Sequence, residues 1–227
     1  MSADARFRGV LFDLDGTLID SAPDLAGAAN RLRADHGLAP LPYARLRPMV
    51  GTGARGMVGA AFGVEPGDER FEELRVAFLA HYEAGLLQLT REFDDVDALL
   101  AGLESAGTPW GIVTNKITRY TTPIVAGLGL DRRAAVVVCG DTTPHAKPHP
   151  EPLLHAARAM GLLPRDVLYV GDDLRDIQAA QAAGMPVVAA TWGYLGQGEP
   201  VEAWGADATI ESPAVLADWL RTRLADR

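Results

Sequence analysis

From residue 93 onward the chain alternates short apolar runs with longer stretches in which apolar residues recur at helical spacing. The apolar runs predict strands over 109–113, 135–139, 167–170 and 186–190, with one further strand, over 10–12, near the start of the chain. The helical spacing predicts helices over 118–128, 151–160, 174–183 and 213–224. Near-continuous apolar strands that alternate with helices are typical of α/β proteins, in which helices cover both faces of a doubly wound parallel sheet.

Residues 18–92 show a different pattern, with helical periodicity and no convincing strand. Ser21 is a candidate N-cap for a first helix that ends near Gly37, and an amphipathic pattern over 69–89 predicts a long helix. We therefore predict an α/β core formed by residues 1–17 and 93–227, with residues 18–92 as an inserted helical domain.

The segment Gly51-Thr-Gly-Ala-Arg-Gly56 matches the G-x-G-x-x-G pattern of dinucleotide-binding loops. Such a loop requires a preceding strand, and residues 45–50, which include Pro48, do not form a convincing one. We interpret the segment as a tight turn that opens a helix. Arg47 and Arg55, before and within it, are candidates for contact with a substrate.

Composition limits the partners of the protein. The 227 residues carry a formal net charge of −9, which argues against nucleic acid and anionic membrane surfaces as partners. No apolar run approaches the ~20 residues of a membrane span, and the first residues lack the apolar core of a signal peptide. The single cysteine, Cys139, excludes an internal disulfide and suits a reducing compartment, so we expect a cytoplasmic protein. The oligomeric state is left open.

Two carboxylates follow the first predicted strand. Asp13 and Asp15 are separated by one residue, and Gly16 ends the strand. This position is the carboxyl end of a strand, where open parallel sheets bind their ligands. Two carboxylates this close repel each other, and a bound Mg²⁺ is the simplest ion that would offset their charge.

Three further segments place polar residues at or after the ends of later strands. They are Thr114-Asn115, Lys147 in the loop after 135–139, and Asp172 with Asp176. In a doubly wound sheet these groups can converge on one crevice with the first two carboxylates.

The grouped residues suit transfer of a phosphoryl group. Asp13 is placed to attack phosphorus and form an aspartyl-phosphate, and Asp15 to protonate the leaving oxygen and then activate water. Asp13, Asp172 and the backbone carbonyl of Asp15 supply oxygen ligands to Mg²⁺, and Asp176 orients metal-bound water from outside the ligand set. The phosphoryl oxygens would accept hydrogen bonds from Thr114, Asn115 and Lys147.

The four segments resemble, in order, the four motifs of the haloacid dehalogenase superfamily, over residues 8–176. The resemblance implies a Rossmann-like core with a helical cap inserted after the first motif, and a Mg²⁺-dependent phosphohydrolase. Segments 17–24, 109–116, 145–152 and 171–177 are similar to the phosphoglycolate-phosphatase group and, within it, to bacterial N-acetylmuramate 6-phosphate phosphatases. A small phosphate ester is the implied substrate, with N-acetylmuramate 6-phosphate as the first choice and 2-phosphoglycolate as the second.

The chain departs from that group at two places. Asp94-Asp95 stands where many relatives have Pro-Gly, and Asp173 stands where they have Ser. Neither departure removes a catalytic group.

The same residues could also serve a sugar phosphomutase, which returns the phosphoryl group to another hydroxyl of the substrate. A dehalogenase is disfavoured, because a departing halide needs no proton and would leave Asp15 without a task. A binding module without catalysis would not require both Asp13 and Asp15. Release of phosphate, as opposed to isomerisation, separates a phosphatase from a mutase.

Overall fold

Six parallel strands form the central sheet of the computed structural model, which describes residues 6–196 and 198–225. Two further short strands pair outside that sheet. In chain order the strands are β1 (Gly9–Phe12), β2 (Ile19–Asp20), β3 (Arg91–Glu92), β4 (Trp110–Val113), β5 (Val136–Val138), β6 (Val167–Gly171), β7 (Val187–Ala190) and β8 (Ala208–Ile210).

Helices connect and cover these strands. In chain order they are α1 (Ala22–Asp35), α2 (Tyr43–Leu46), α3 (Gly53–Phe62), α4 (Phe71–Ala84), α5 (Val96–Ser105), α6 (Thr118–Gly127), α7 (Glu151–Ala159), α8 (Leu174–Ala183) and α9 (Pro213–Arg221). Within the described ranges, none of them combines the length and the apolar character that crossing a membrane requires.

Alternation along β1 divides the core into two layers, because successive residues of a strand face opposite sides of the sheet. Val10 and Phe12 belong to a buried cluster that includes side chains of α5, α6 and α9. Leu11 belongs to a second cluster, with side chains of α7 and α8. Helices therefore cover both faces, and the predicted α/β fold with a Rossmann-like, doubly wound parallel sheet is confirmed.

The strand order, β5-β4-β1-β6-β7-β8, positions the candidate site. The chain builds outward from β1 through β4 to β5 and then crosses to the other side of β1 for the remaining strands. The carboxyl ends of β1, β4 and β6 flank this reversal, where doubly wound sheets form their ligand crevice. Asp13, Thr114 and Asp172 directly follow these three strands.

The predicted helical insert contains α1 to α4, but it also contains β2 and β3. These strands pair antiparallel, with Ile19 opposite Glu92. The prediction that residues 18–92 contain no convincing strand is therefore wrong. Strands of two residues are too short to leave a periodic pattern in the sequence. The Asp24 carboxylate anchors the returning chain by accepting hydrogen bonds from the Thr90 amide (2.9 Å) and hydroxyl (2.7 Å). The division into two domains at these strands stays a prediction.

Asp95 adopts a left-handed backbone conformation, with a φ of +67°, immediately before α5. Glycine adopts this conformation most readily, and aspartate is among the other residues that tolerate it best. The departure at position 95 is thus accommodated within the local turn.

Candidate active site

Asp13 is held at the end of β1 by both its backbone and its side chain. Its amide donates to the carbonyl of Val170 in β6 (2.9 Å), which extends the pairing of the two strands. One carboxylate oxygen, Oδ1, accepts a hydrogen bond from Lys147 Nζ (2.8 Å). The other accepts none from the residues that the structure describes. One oxygen is therefore fixed, and the other is available to attack an electrophile.

Burial raises the pKa of Asp13 from 3.8 to about 7. The Lys147 ammonium lowers this pKa, whereas the nearby Asp176 and Asp15 carboxylates raise it. A further cation in contact with Asp13 would lower its pKa and favour the ionised, nucleophilic form.

Asp15 also accepts its hydrogen bonds at a single oxygen. Lys116 Nζ donates to Asp15 Oδ1 over 2.7 Å, and the Ser21 hydroxyl donates to the same atom. Asp15 Oδ2 accepts none from the described part of the chain. Ser21 precedes α1 as expected, but its side chain makes no capping bond to that helix. The predicted capping role is wrong, since the Ser21 hydroxyl donates its hydrogen bond to the Asp15 carboxylate and not to the helix backbone.

Lys116 links Asp15 to the helical insert. Its Nζ donates to the Tyr82 hydroxyl of α4 (2.8 Å) as well as to Asp15. Burial lowers the pKa of this ammonium, but the Asp15 carboxylate and Tyr82 raise it more, so the net shift is upward and Lys116 stays charged. Sequence reasoning missed both residues. The available signal was the position of Lys116 directly after Asn115, in a segment that already carried the phosphate-binding candidates.

Lys147 is buried beneath Asp13. Its Nζ lies 2.8 Å from Asp13 Oδ1, from the Val113 carbonyl and from the Tyr169 hydroxyl, and 2.7 Å from Asp176 Oδ1. Burial lowers the pKa of Lys147, but the two carboxylates raise it more. This ammonium therefore orients the candidate nucleophile, while its predicted contact with phosphoryl oxygens stays a prediction. Tyr169, which sequence reasoning missed, supports the lysine from β6.

Asn115 holds the backbone of the Lys147 loop. Its Nδ2 donates to the Lys147 carbonyl and its Oδ1 accepts from the Lys147 amide, both over 2.9 Å. The Thr114 hydroxyl accepts from the Lys116 amide (3.1 Å) and keeps its own hydrogen for donation. The Thr114 hydroxyl can therefore donate to a phosphoryl group, whereas the Asn115 side chain is engaged in positioning Lys147.

Three buried carboxylates lie together at this edge of the sheet. Oxygens of Asp13, Asp172 and Asp176 are within 4.8 Å of one another. Asp172 accepts hydrogen bonds from the Thr17 hydroxyl (3.0 Å) and the Tyr194 amide (2.8 Å). Burial, together with the other two carboxylates, raises the pKa of Asp172 well above its ordinary value. One ammonium does not balance three carboxylates, so the cluster fits a divalent cation that prefers oxygen ligands, such as Mg²⁺.

Asp173 caps α8 and pairs with Arg175. Its carboxylate accepts from the Arg175 amide (2.9 Å) and guanidinium (2.8 Å). Asp176 in turn accepts from the Asp173 amide (3.1 Å), which completes a capping box. Arg175 also donates to the Gly51 carbonyl of the insert. The departure at position 173 therefore starts α8 and, through Arg175, ties the core to the insert.

A cavity of about 360 Å³ is lined by both the sheet edge and the insert. Polar side chains at the sheet edge form part of its wall, among them Asp13, Asp15, Thr114 and Lys147. From the insert, the wall includes residues 51–54, at the start of α3, and side chains of α4. This arrangement can enclose a phosphate ester, with the phosphate at the sheet edge and the rest of the molecule against the insert.

Both arginines predicted to contact substrate lie outside the lining of this cavity. Arg47 packs over the Tyr194 ring, with its guanidinium carbon 5.0 Å from the ring centroid, and donates to the Trp192 carbonyl (3.4 Å). Arg55 lines a neighbouring depression. Within the described part of the chain, the arginines that line the cavity are Arg75 and Arg175, and sequence reasoning missed both.

Gly16 lets the backbone approach the carboxylate of Asp172. It has a φ of +91°, and an added Cβ would overlap the Asp172 side chain. We expect Gly16→Ala to lower the free energy of unfolding by about 2–5 kcal/mol and to reduce activity, because backbone strain adds to displacement of Asp172. Gly63→Ala is the matched control, since Gly63 has a φ of +69° and no described atom within 4 Å of the added carbon. Equal effects of the two changes in urea unfolding would contradict this explanation.

The family model for haloacid dehalogenase-like hydrolases matches residues 10–190 of the chain. The chain belongs to this family. An N-acetylmuramic acid 6-phosphate phosphatase from Pseudomonas aeruginosa is 43% identical, over 97% of this chain and 98% of its own length. A phosphoglycolate phosphatase from Xanthomonas campestris pv. campestris is 48% identical, over 92% of this chain and 94% of its own length.

A solved structure agrees with the haloacid dehalogenase-like assignment. The crystal structure of a predicted phosphoglycolate phosphatase from Haemophilus somnus matches with a TM-score of 0.83 and 30% sequence identity. The match covers 95% of this chain and 98% of the other. The superfamily predicted from the four segments, and with it a hydrolytic enzyme, is confirmed.

Proposed function

We propose that this haloacid dehalogenase-like hydrolase is a phosphomonoesterase that transfers a phosphoryl group first to Asp13 and then to water. The paired carboxylates carry the proposal. Asp13 and Asp15 each have one oxygen held by a lysine and one uncommitted, and both line the same cavity. One carboxylate can therefore act as the nucleophile while the other transfers protons.

The reaction proceeds in two steps. In the first, an Asp13 oxygen attacks phosphorus, the bond from phosphorus to the ester oxygen breaks, and the Asp15 carboxyl gives its proton to the departing alkoxide. In the second, water attacks phosphorus, Asp15 takes a proton from that water, and Asp13 leaves as a carboxylate with release of inorganic phosphate. Lys147 keeps Asp13 oriented, and the Thr114 hydroxyl donates to the phosphoryl group.

Asp13, Asp172 and the backbone carbonyl of Asp15 would hold Mg²⁺, with Asp176 oriented behind them. The clustering of the Asp13 and Asp172 carboxylates with that of Asp176 supports the two side-chain ligands, because oxygen atoms are the ligands that Mg²⁺ prefers. When bound, Mg²⁺ shields the approach of one anion to another and holds the phosphoryl group.

We propose N-acetylmuramate 6-phosphate as the substrate. The Pseudomonas aeruginosa relative that carries this name supports the choice. The cavity supports it as well, since it has an apolar wall suited to a body larger than the phosphate, formed by Leu25, Val50, Phe78, Leu79 and Ile117. The second candidate is 2-phosphoglycolate, which the Xanthomonas campestris relative supports by its name.

The test is phosphate release from a panel of phosphorylated metabolites. With Mg²⁺ present, we expect N-acetylmuramate 6-phosphate to give a higher kcat/KM than 2-phosphoglycolate or the other esters. Removal of divalent cations by a chelator should abolish release, and added Mg²⁺ should restore it. A higher kcat/KM on 2-phosphoglycolate would reverse the choice of substrate, full activity in chelator would exclude the metal, and isomerised esters without free phosphate would indicate a mutase.

A further inference from the structure

Both candidate substrates carry a carboxylate as well as a phosphate. 2-Phosphoglycolate is itself a carboxylic acid, and muramic acid differs from glucosamine by a lactyl ether that ends in a carboxylate. We propose that Arg75 binds this carboxylate, so that the enzyme selects phosphate esters that also carry an acid group. The inference rests on the proposed phosphatase function and adds a second anchoring point to the same cavity.

Among the described residues, the cavity is lined by four cationic side chains: Arg75, Lys116, Lys147 and Arg175. The two lysines are committed to the catalytic carboxylates. Lys147 is buried between Asp13 and Asp176, and Lys116 is paired with Asp15. Taking either lysine for substrate recognition would leave a buried carboxylate without its partner, which is unfavourable.

Arg175 is committed as well, although it lines the cavity. Its guanidinium donates to both oxygens of Asp173, over 2.8 and 2.9 Å, and also to the Gly51 carbonyl. These contacts occupy the planar fork that would otherwise grip a carboxylate, and they hold the core and the insert together.

Arg75 is the cation that is free to exchange its partner. It lies on α4 and pairs with Glu72 over 2.6 and 2.8 Å, one helical turn earlier. The Glu72 side chain is 67% exposed and that of Arg75 is 37% exposed. Exposed ion pairs within one helix contribute little to stability, so a substrate carboxylate can replace Glu72 at small cost. A guanidinium also binds a carboxylate through two parallel hydrogen bonds.

The position of Arg75 along α4 suits this role. Phe78 and Leu79, three and four residues later, line the same cavity. Residues at these spacings lie on one helix face, so the arginine and the apolar wall are adjacent. A substrate can then place its phosphate at Asp13, its body along the apolar wall and its carboxylate at Arg75.

The test uses two pairs of esters that differ in the carboxylate. N-Acetylmuramate 6-phosphate is compared with N-acetylglucosamine 6-phosphate, which lacks the lactyl group, and 2-phosphoglycolate is compared with ethyl phosphate. We expect Arg75→Ala to lower kcat/KM about 10- to 100-fold for the acid of each pair, mainly through KM, and to leave the other ester unchanged. Arg75→Lys should restore part of the loss, because the ammonium keeps the charge without the fork. Arg70→Ala, which removes an exposed guanidinium at the start of the same helix, should change neither ester.

Equal losses on both members of a pair, or no loss on either, would overturn the carboxylate site. Wild-type activity on an aryl phosphate reports separately on the proposed phosphatase function. Should wild-type turnover be absent, calorimetry with N-acetylmuramate 6-phosphate and the Asp13→Asn variant still measures recognition. Binding weakened about tenfold or more by adding Arg75→Ala would support the site, and equal affinity would overturn it.

Discussion

Asp13→Asn is expected to reduce kcat by on the order of 10⁴-fold or more on every phosphate ester, because it removes the nucleophile. The asparagine keeps the size of the side chain and can still accept from Lys147. It has no carboxylate oxygen with which to form an acyl phosphate. Steady-state phosphate release measures the loss. In wild-type enzyme quenched during turnover, borohydride reduction of the acyl phosphate should give homoserine at position 13.

The fold should survive this change. Since burial raises the folded-state pKa of Asp13 from 3.8 to about 7, this group lowers the free energy of unfolding as pH rises from about 4 to about 7. Asparagine does not ionise, so the variant avoids this decrease in the free energy of unfolding. The metal-free variant should therefore be at least as stable as wild type at pH 8. Asp94→Asn, at an exposed position, is the control and should keep full activity. Wild-type turnover by Asp13→Asn, or homoserine at another aspartate, would contradict the assignment.

Asp15→Asn is expected to lose about 10²–10⁴-fold in rate on alkyl phosphates, the usual contribution of general acid–base catalysis. An alkoxide is a poor leaving group, so it needs the proton that Asp15 supplies. The loss should be smaller for release of nitrophenolate from p-nitrophenyl phosphate, which needs little protonation. A single-turnover measurement isolates this first step from the attack of water that follows.

Ser21→Ala provides the matched control for Asp15. It removes a hydrogen bond to Asp15 Oδ1 but leaves the carboxyl group, so we expect a loss of only about tenfold. Equal losses for Asp15→Asn on alkyl and aryl esters in the first step would count against Asp15 as the acid.

The sequence alone was sufficient to predict those features of the fold that depend on residues adjacent in the chain. Apolar runs predicted the buried strands β1, β4, β6 and β7, because strands covered on both faces must be apolar on both faces. The edge strand β8 and the two-residue strands β2 and β3 were missed. β8 spans only three residues with the exposed Thr209 in the middle, so no apolar run marks it, and the two-residue strands have no periodicity to detect.

The residues at the strand ends were predictable for a related reason. Asp13, Thr114 and Asp172 each follow an apolar strand directly, and parallel strands bring their carboxyl ends to one edge. The chain alone therefore predicted that these groups would meet. It did not predict which atoms would pair. Asn115 holds the Lys147 backbone, a pairing that the sequence did not predict, and its expected donation to phosphate stays a prediction.

The sequence by itself thus determined the buried central strands, the family through its four motifs, and most of the polar groups that follow those strands, because strands covered on both faces are apolar and residues directly after parallel strands lie at one edge of the sheet. Only the tertiary structure decided how the insert contributes. Lys116 meets Tyr82, Ser21 turns from its helix to Asp15, and Arg75 reaches the cavity while Arg47 does not. These contacts depend on how the insert packs against the sheet edge, and no spacing along the chain records that packing.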